Sequence, residues 1–451
     1  MRIQPYTSLR DEASRLWTLG WPVSVGMGAV FLMGTVDILM VGGLGQQQLA
    51  ALAVGNLWCF GLSILGHSSA RGLDPIVAQA FGAGDRDAAG QALLRGWLLA
   101  VLLALPLMAL HTLAAEGLGV LGQPEHLLPQ AEAYARARMW GLPFAFAFDA
   151  TRQFLQGLGV MKPATRVAVA GNLVNAALNG LFLYGFGLGV EGAGWATAGS
   201  MAFLLVGLLW QTRGVLRAWW PAHPRVFAVR PFLELVSLAL PAGFQSGLEV
   251  WGFIAAGVMM GWLGEVQLDA HVIALNLATL AFTLPFGLSA GAATRVGNLL
   301  GAGYAWQRSG WVAVGGTAVL MLGGAALFVG APVPLARLFT REPSVVLLAA
   351  TLLPIAGLFQ VFDGTQTVAF GVLRGAGDVR VPTLANLLAY YVVGLPLGYW
   401  LAFERGWGAV GIWVGLTVAL GTVASLLVVR LAWLGRRGGV LIHTLSPDLH
   451  G

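Results

Sequence analysis

The sequence predicts an all-α membrane protein: twelve transmembrane helices in two six-helix bundles, related by a pseudo-two-fold axis along the membrane normal. Three observations carry that expectation. Hydrophobic residues make up 57% of the chain and charged residues only 10%, whereas a soluble domain carries about 25% charged residues. Charge-free stretches at 38–70, 167–190, 193–212 and 406–429 each supply the roughly 20 apolar residues that cross a bilayer. Finally, the chain repeats itself. VGGLGQQQLAA at 41–51 returns as MGWLGEVQLDA at 260–270, with six of eleven positions identical at an offset of 219 residues. The same offset pairs Pro22 with Pro241, and Gly82-Ala83-Gly84 with Gly301-Ala302-Gly303.

In chain order the helices are expected at 15–42, 49–78, 92–114, 130–157, 165–187, 192–212, 233–261, 270–299, 309–330, 346–372, 381–402 and 408–433. The alternating pattern of a membrane β-barrel is absent. An even number of spans per repeat makes both halves enter the bilayer from the same side, as parallel repeats do. The expected domains are an N-terminal six-helix lobe at 1–212 and a C-terminal six-helix lobe at 233–434. Between them, 213–232 reads as a cytoplasmic linker, with Trp219-Trp220-Pro221 and four arginines, and 435–451 as a cytoplasmic tail.

Basic residues orient the chain. Arg2, Arg10, Arg86, Arg95, Lys162, Arg166, Arg213, Arg217, Arg225, Arg230, Arg430, Arg436 and Arg437 fall on one set of segments. The intervening segments 43–48, 115–133, 188–191 and 262–269 lack basic residues, and Arg136, Arg138, Arg337, Arg341 and Arg405 are the exceptions. Both termini are therefore expected in the cytoplasm, with the protein in the inner membrane. The arginines form no stripe, so nucleic acid is not an expected partner. Cys59 is the single cysteine and can close no disulfide within the chain. Residues 1–17 lack the apolar core of a cleavable signal. No Walker motif supplies ATP chemistry, and no catalytic or metal constellation at one depth suggests an enzyme. No cofactor is expected.

Ionisable residues inside spans cost about 2.5–3.5 kcal/mol each on insertion scales, which makes them the functional candidates. Asp37, Glu249 and Asp363 have no basic residue within one helical turn. A buried carboxylate of that kind readily takes up a proton, or a cation where neighbouring oxygens complete a shell. Asp149 and Arg152, three apart on one face, can neutralise each other. Asn172, Asn175 and Asn179 line one face of the fifth helix, and Thr197 lies in the sixth. Tyr390, Tyr391 and Tyr399 offer hydroxyls from the eleventh. Pro22 permits the first helix to bend about four turns before Asp37. The histidines show no ligand spacing, and His67 reads as a satisfied core residue.

Several motifs together resemble the multidrug and toxic compound extrusion (MATE) family, in its NorM-like branch. They are Asp37 with Val41-Gly42 and Leu44-Gly45, Ala78-Gln79 through Gly84, and Gln156-Gly157-Leu158-Gly159. In the second half they are Pro241 with Glu249, Pro285 to Gly303, and Gly371-Val372-Leu373-Arg374-Gly375 with Gly377-Asp378. The resemblance implies an antiporter that exports cationic amphiphilic drugs and dyes by alternating access, driven by H+ or Na+ and functioning as a monomer. It implies an N-lobe cation or substrate site at Asp37, Asn175, Asn179 and Thr197, with Asn172 nearby, and a C-lobe site at Glu249 and Asp363. Na+ could be held at either. A tyrosine often found one turn before the helix 10 aspartate is Phe359 here, and Asn179 stands where some relatives carry an aspartate. Fewer fixed charges and one hydroxyl less shift the expectation towards H+, or towards either ion. The alternative is a lipid-linked oligosaccharide flippase of the same architecture. A pyrophosphate cargo would call for buried Arg or Lys, whereas the isolated buried charges here are acidic.

Overall fold

A computed structural model describes residues 8–437. The remainder of the chain, including most of the tail expected at 435–451, lies outside the described residues. All regular structure among the described residues is helical. The first half contains α1 (Leu9–Gly42), α2 (Gln46–Ser69), α3 (Leu73–Ala83), α4 (Arg86–His111), α5 (Ala114–Val120), α6 (Leu128–Met139), α7 (Leu142–Gly157), α8 (Lys162–Asn179) and α9 (Gly189–Ala218). The second half contains α10 (Val229–Leu263), α11 (Glu265–Gly301), α12 (Gln307–Gly330), α13 (Pro332–Arg337), α14 (Pro343–Gly375), α15 (Arg380–Leu387), α16 (Leu395–Tyr399) and α17 (Ala409–Arg437).

Eleven helical stretches among the described residues are long and apolar enough to cross a membrane. The twelfth expected span, 130–157, is present as two shorter helices, α6 and α7. The break has local causes. Pro143 sits in the first turn of α7, where a missing N–H costs nothing. Gly141 lies so close to α9 that a Cβ there would come within 2.8 Å of the Ala198 Cα. Large apolar side chains such as Leu173, Val206, Val319 and Leu347 point outward, as expected of surfaces that face hydrocarbon.

The repeat is visible in backbone geometry. Gly45 and Gly264 precede α2 and α11 with φ of 112° and 123°, and Gly84 and Gly303 end helices with φ of 76° and 74°. A left-handed backbone is tolerated by glycine, so each pair fixes the same turn twice. The π-helical turns at Gly180–Gly185 and Trp400–Glu404 also stand at equivalent places in the two copies.

The described chain forms two compact units, 25–243 and 8–24 with 244–437. The expected boundary lay in the 213–232 linker. The divisions fall instead inside α1 and α10, at 24/25 and 243/244, again 219 residues apart. Each is two residues past a proline, Pro22 or Pro241, inside an unbroken helix. Small residues explain the membership. A Cβ on Gly20 would come within 2.9 Å of the Gly287 carbonyl oxygen on α11, and one on Gly291 within 3.0 Å of the Leu16 oxygen. On α10, a Cβ on Gly243 would lie 2.7 Å from the Leu65 oxygen of α2. The linker is docked within its own unit: Gln91 Nε2 donates to the His223 carbonyl at 2.7 Å, and Arg225 N donates to Gln91 Oε1 at 2.9 Å.

The start of α1 is anchored by charge. Glu12 is fully buried. It receives Arg295 Nε at 2.8 Å and Nη2 at 3.0 Å, and Ser309 Oγ also donates to it. Breaking a buried pair costs far more than replacing it whole, about 3–5 kcal/mol against near neutrality. Glu12→Ala is therefore expected to lower the apparent Tm of the detergent-solubilised protein clearly. The double change Glu12→Met with Arg295→Met is expected to lower it less, and a single variant melting with the wild type would contradict the clasp.

Candidate functional site

The sequence-derived candidates gather in two places, one within each unit. In unit 25–243, Asp37 lies five residues before the end of α1 and is buried, with 8% of its surface exposed. Asn175 and Asn179 come from the last turns of α8, and Thr197 from α9. Asn179 Nδ2 donates to Asp37 Oδ1 at 2.6 Å and to Asn175 Oδ1 at 3.2 Å. Thr197 Oγ1 faces Asp37 Oδ2 at 3.3 Å and the Ala193 carbonyl at 3.0 Å. Asn175 Nδ2 and Asn179 Oδ1 are buried without a hydrogen-bond partner. The carboxylate is thus held by neutral groups, with three further side-chain oxygens around it. Asn172 stands apart: its Nδ2 donates to the Ala29 and Ala168 carbonyls at 3.0 and 3.1 Å, tying α8 to α1.

In the other unit, Glu249 of α10 and Asp363 of α14 are joined through one amide. Gln366 Nε2 donates to Glu249 Oε1 at 2.9 Å and to Asp363 Oδ1 at 3.2 Å. Gln245 Nε2 donates to the second Glu249 oxygen at 3.2 Å. Two carboxylates bridged by a single NH2 group repel when both are charged, and one proton or one cation between them relieves that repulsion. The ring at Phe359 supplies no oxygen and packs edge-on against Phe253 and Trp413, with centroids 5.9 and 5.3 Å away. Of the tyrosines, Tyr390 is fully buried with its hydroxyl unpartnered. Tyr391 OH donates to the Leu248 carbonyl at 3.0 Å, and Tyr399 stacks on Phe403. Pro22 lies within α1 beside the division between units.

The structure adds partners that were not singled out. Gln366 follows Asp363 by three residues and Gln245 precedes Glu249 by four, so helical spacing alone pointed to both. Asp149 does pair with Arg152, at 2.8 Å, but its second oxygen meets His67 Nδ1 at 2.6 Å. His67 therefore completes a hydrogen-bonded group with Asp149 and Arg152, which no spacing within α2 could reveal. Among the described residues no cluster of three His, Cys, Asp or Glu side chains could hold a metal ion.

Comparison with known proteins agrees with this geometry. The MatE family model matches residues 22–181 and again 241–400, two copies displaced by the same 219 residues. A probable multidrug resistance protein NorM of Burkholderia pseudomallei is 36% identical over 446 residues, covering 94% of each chain. The multidrug resistance protein PmpM of Pseudomonas aeruginosa is 32% identical over 450 residues, 95% of this chain and 93% of its own. The crystal structure of a eukaryotic MATE transporter, AtDTX14, superposes with a TM-score of 0.88 at 24% identity, covering 95% of this chain and 98% of that one. The protein is a multi-pass membrane protein that belongs to the MatE family of secondary transporters, and it is not an enzyme.

Proposed function

We propose that the protein is a cation-coupled antiporter that exports cationic amphiphilic drugs and dyes by alternating access, with H+, Na+ or both as the coupling ion. The observation that carries this reading is the pair of buried acidic sites held by neutral donors. Asp37 rests on Asn179 and Thr197, and Glu249 and Asp363 share Gln366. Such groups hold one positive charge well and release it when another arrives. A coupling ion and an organic cation that compete for one carboxylate are linked reciprocally, so each lowers the affinity for the other. Each elementary charge moved through the membrane potential contributes about 2.3 kcal/mol per 100 mV, enough to drive release of one substrate.

The names of the relatives support multidrug cargo. Absence of a buried arginine beside Glu249 and Asp363 within one turn of sequence suits a cationic substrate better than a pyrophosphate. The distribution of arginines supports an inner-membrane protein with both termini in the cytoplasm. We read the unit of function as a monomer, since each acidic site is completed by residues of one chain.

In cells lacking their own efflux pumps, Asp37→Asn, Glu249→Gln and Asp363→Asn are each expected to abolish resistance to ethidium while the protein still inserts. Full resistance in all three would overturn the proposal. Within the first site the two donors should differ. Loss of a good hydrogen bond to a buried charged group costs about 1.5–3 kcal/mol, a weak one less. Asn179→Leu is therefore expected to slow dye efflux from vesicles at least about tenfold, and Thr197→Val much less. Equal losses would contradict the weighting by the 2.6 and 3.3 Å contacts.

A further inference from the structure

Arg138 is one of the few basic residues off the set of segments expected to be cytoplasmic. It lies on α6 in the same unit as Asp37. Its neighbour Arg136 is neutralised by Glu132 at 2.5 Å. Arg138 is not: its Nη1 donates to Asn56 Oδ1 at 2.6 Å and to Tyr134 OH at 2.9 Å, both neutral, and no ion pair reaches it among the described residues. A guanidinium with no carboxylate ligand, on a helix packed against both α2 and α9, calls for a reason.

Close helix approaches hold it there. At Gly55 of α2 a Cβ would lie 2.8 Å from the Tyr134 ring, which sets the next residue, Asn56, against Arg138. At Gly194 of α9 a Cβ would lie 2.6 Å from the Tyr134 carbonyl and 3.2 Å from Arg138 N. One turn further along α9 is Thr197, whose hydroxyl faces Asp37. Arg138 and Asp37 therefore pack against consecutive turns of one helix, α9, Arg138 at Gly194 and Asp37 at Thr197. The other titratable groups around them are neutral in kind or already engaged. Tyr134 accepts from Arg138, Cys59 is buried on α2, His111 Nδ1 meets the Leu107 carbonyl, and Glu191 receives Trp195 Nε1.

The geometry points to Arg138 as the residue that sets which cation Asp37 can hold: its fixed positive charge confines that site to H+ and keeps alkali cations out. This rests on the antiporter reading and specifies its ion. The guanidinium opposes H+ and Na+ at Asp37 by the same factor, because both bring one unit of charge. The two ions start from different affinities. A desolvated carboxylate binds a proton tightly, so it keeps H+ even under this opposition, which eases the proton's release. A shell of one carboxylate, two amides and a hydroxyl binds Na+ weakly at best, and the same factor removes it.

The test is a Na+ titration of the purified protein followed by intrinsic tryptophan fluorescence, with choline replacing Na+ at fixed pH, alongside the pH profile of dye efflux in vesicles. Arg138→Gln is expected to gain a saturable Na+ response, at least about tenfold tighter than any Asp37-dependent response of the wild type. The alkaline limb of its transport profile should move up by about one pH unit, the same factor. The Na+ response should vanish when Asp37→Asn is added. Arg138→Lys, which keeps the charge, should behave as the wild type. Asn56→Asp, at an exposed position, should mimic Arg138→Gln by giving the guanidinium a carboxylate partner, and it serves if Arg138→Gln fails to insert. Wild-type Na+ response and pH profile in both Arg138→Gln and Asn56→Asp would overturn the assignment. Wild-type vesicles that export no dye under either gradient would overturn the antiporter reading, while the Na+ titration still decides the role of Arg138.

Discussion

A carboxylate placed in an apolar span must find its hydrogen-bond donors inside the protein, because hydrocarbon offers none. Asp37, Glu249 and Asp363 each meet that demand with amides and hydroxyls. The surrounding helices are arranged to deliver those donors. The last turns of α8 bring Asn175 and Asn179, α9 brings Thr197, and α14 carries both Asp363 and the amide that ties it to Glu249. A lysine or arginine in direct contact would satisfy each carboxylate permanently. Neutral donors leave it able to accept a further positive charge, which a transport cycle needs.

The contrast with Asp149 shows what permanent satisfaction looks like. Its two oxygens are taken by Arg152 and His67, and it is as buried as Asp363. Burial alone therefore does not make a coupling site; the chemistry of the partner decides. The Glu12–Arg295 clasp is the same closed arrangement used for anchorage. It secures the part of α1 before Pro22 to one compact unit, while Asp37, further along the same helix, belongs to the other. The duplicated scaffold does not duplicate the chemistry. At the repeat offset Asp37 corresponds to Ala256, and Glu249 to Val30.

Much of this was legible in the sequence, for identifiable reasons. Spans follow from long uncharged stretches, and the repeat follows from glycines at turns whose positive φ other residues rarely adopt, as at Gly45 and Gly264. Buried carboxylates announce themselves by their cost. The amides on α8 share a face through spacing of four, so Asn175 and Asn179 could be placed beside one another. Asn172 shares that face yet serves backbone carbonyls, because α1 meets it at Ala29 and not at Asp37. Partners contributed by distant helices were not legible: His67 for Asp149, Asn56 for Arg138, Ser309 for Glu12. Nor was the division of α1 and α10, since membership in a unit depends on glycine contacts across helices and not on loop composition. The break between α6 and α7 was hidden because a proline inside a span, here Pro143, reads equally as a kink.

In the proposed cycle, substrate and coupling ion compete for the same buried carboxylates. The most direct measurement is proton release when a cationic dye such as ethidium is added to the purified protein in weakly buffered solution. Protons should be released in proportion to bound dye, and that release should be lost in the protein carrying Asp37→Asn, Glu249→Gln and Asp363→Asn. Dye binding with no proton release, under Na+-free conditions where only H+ can be displaced, would contradict it.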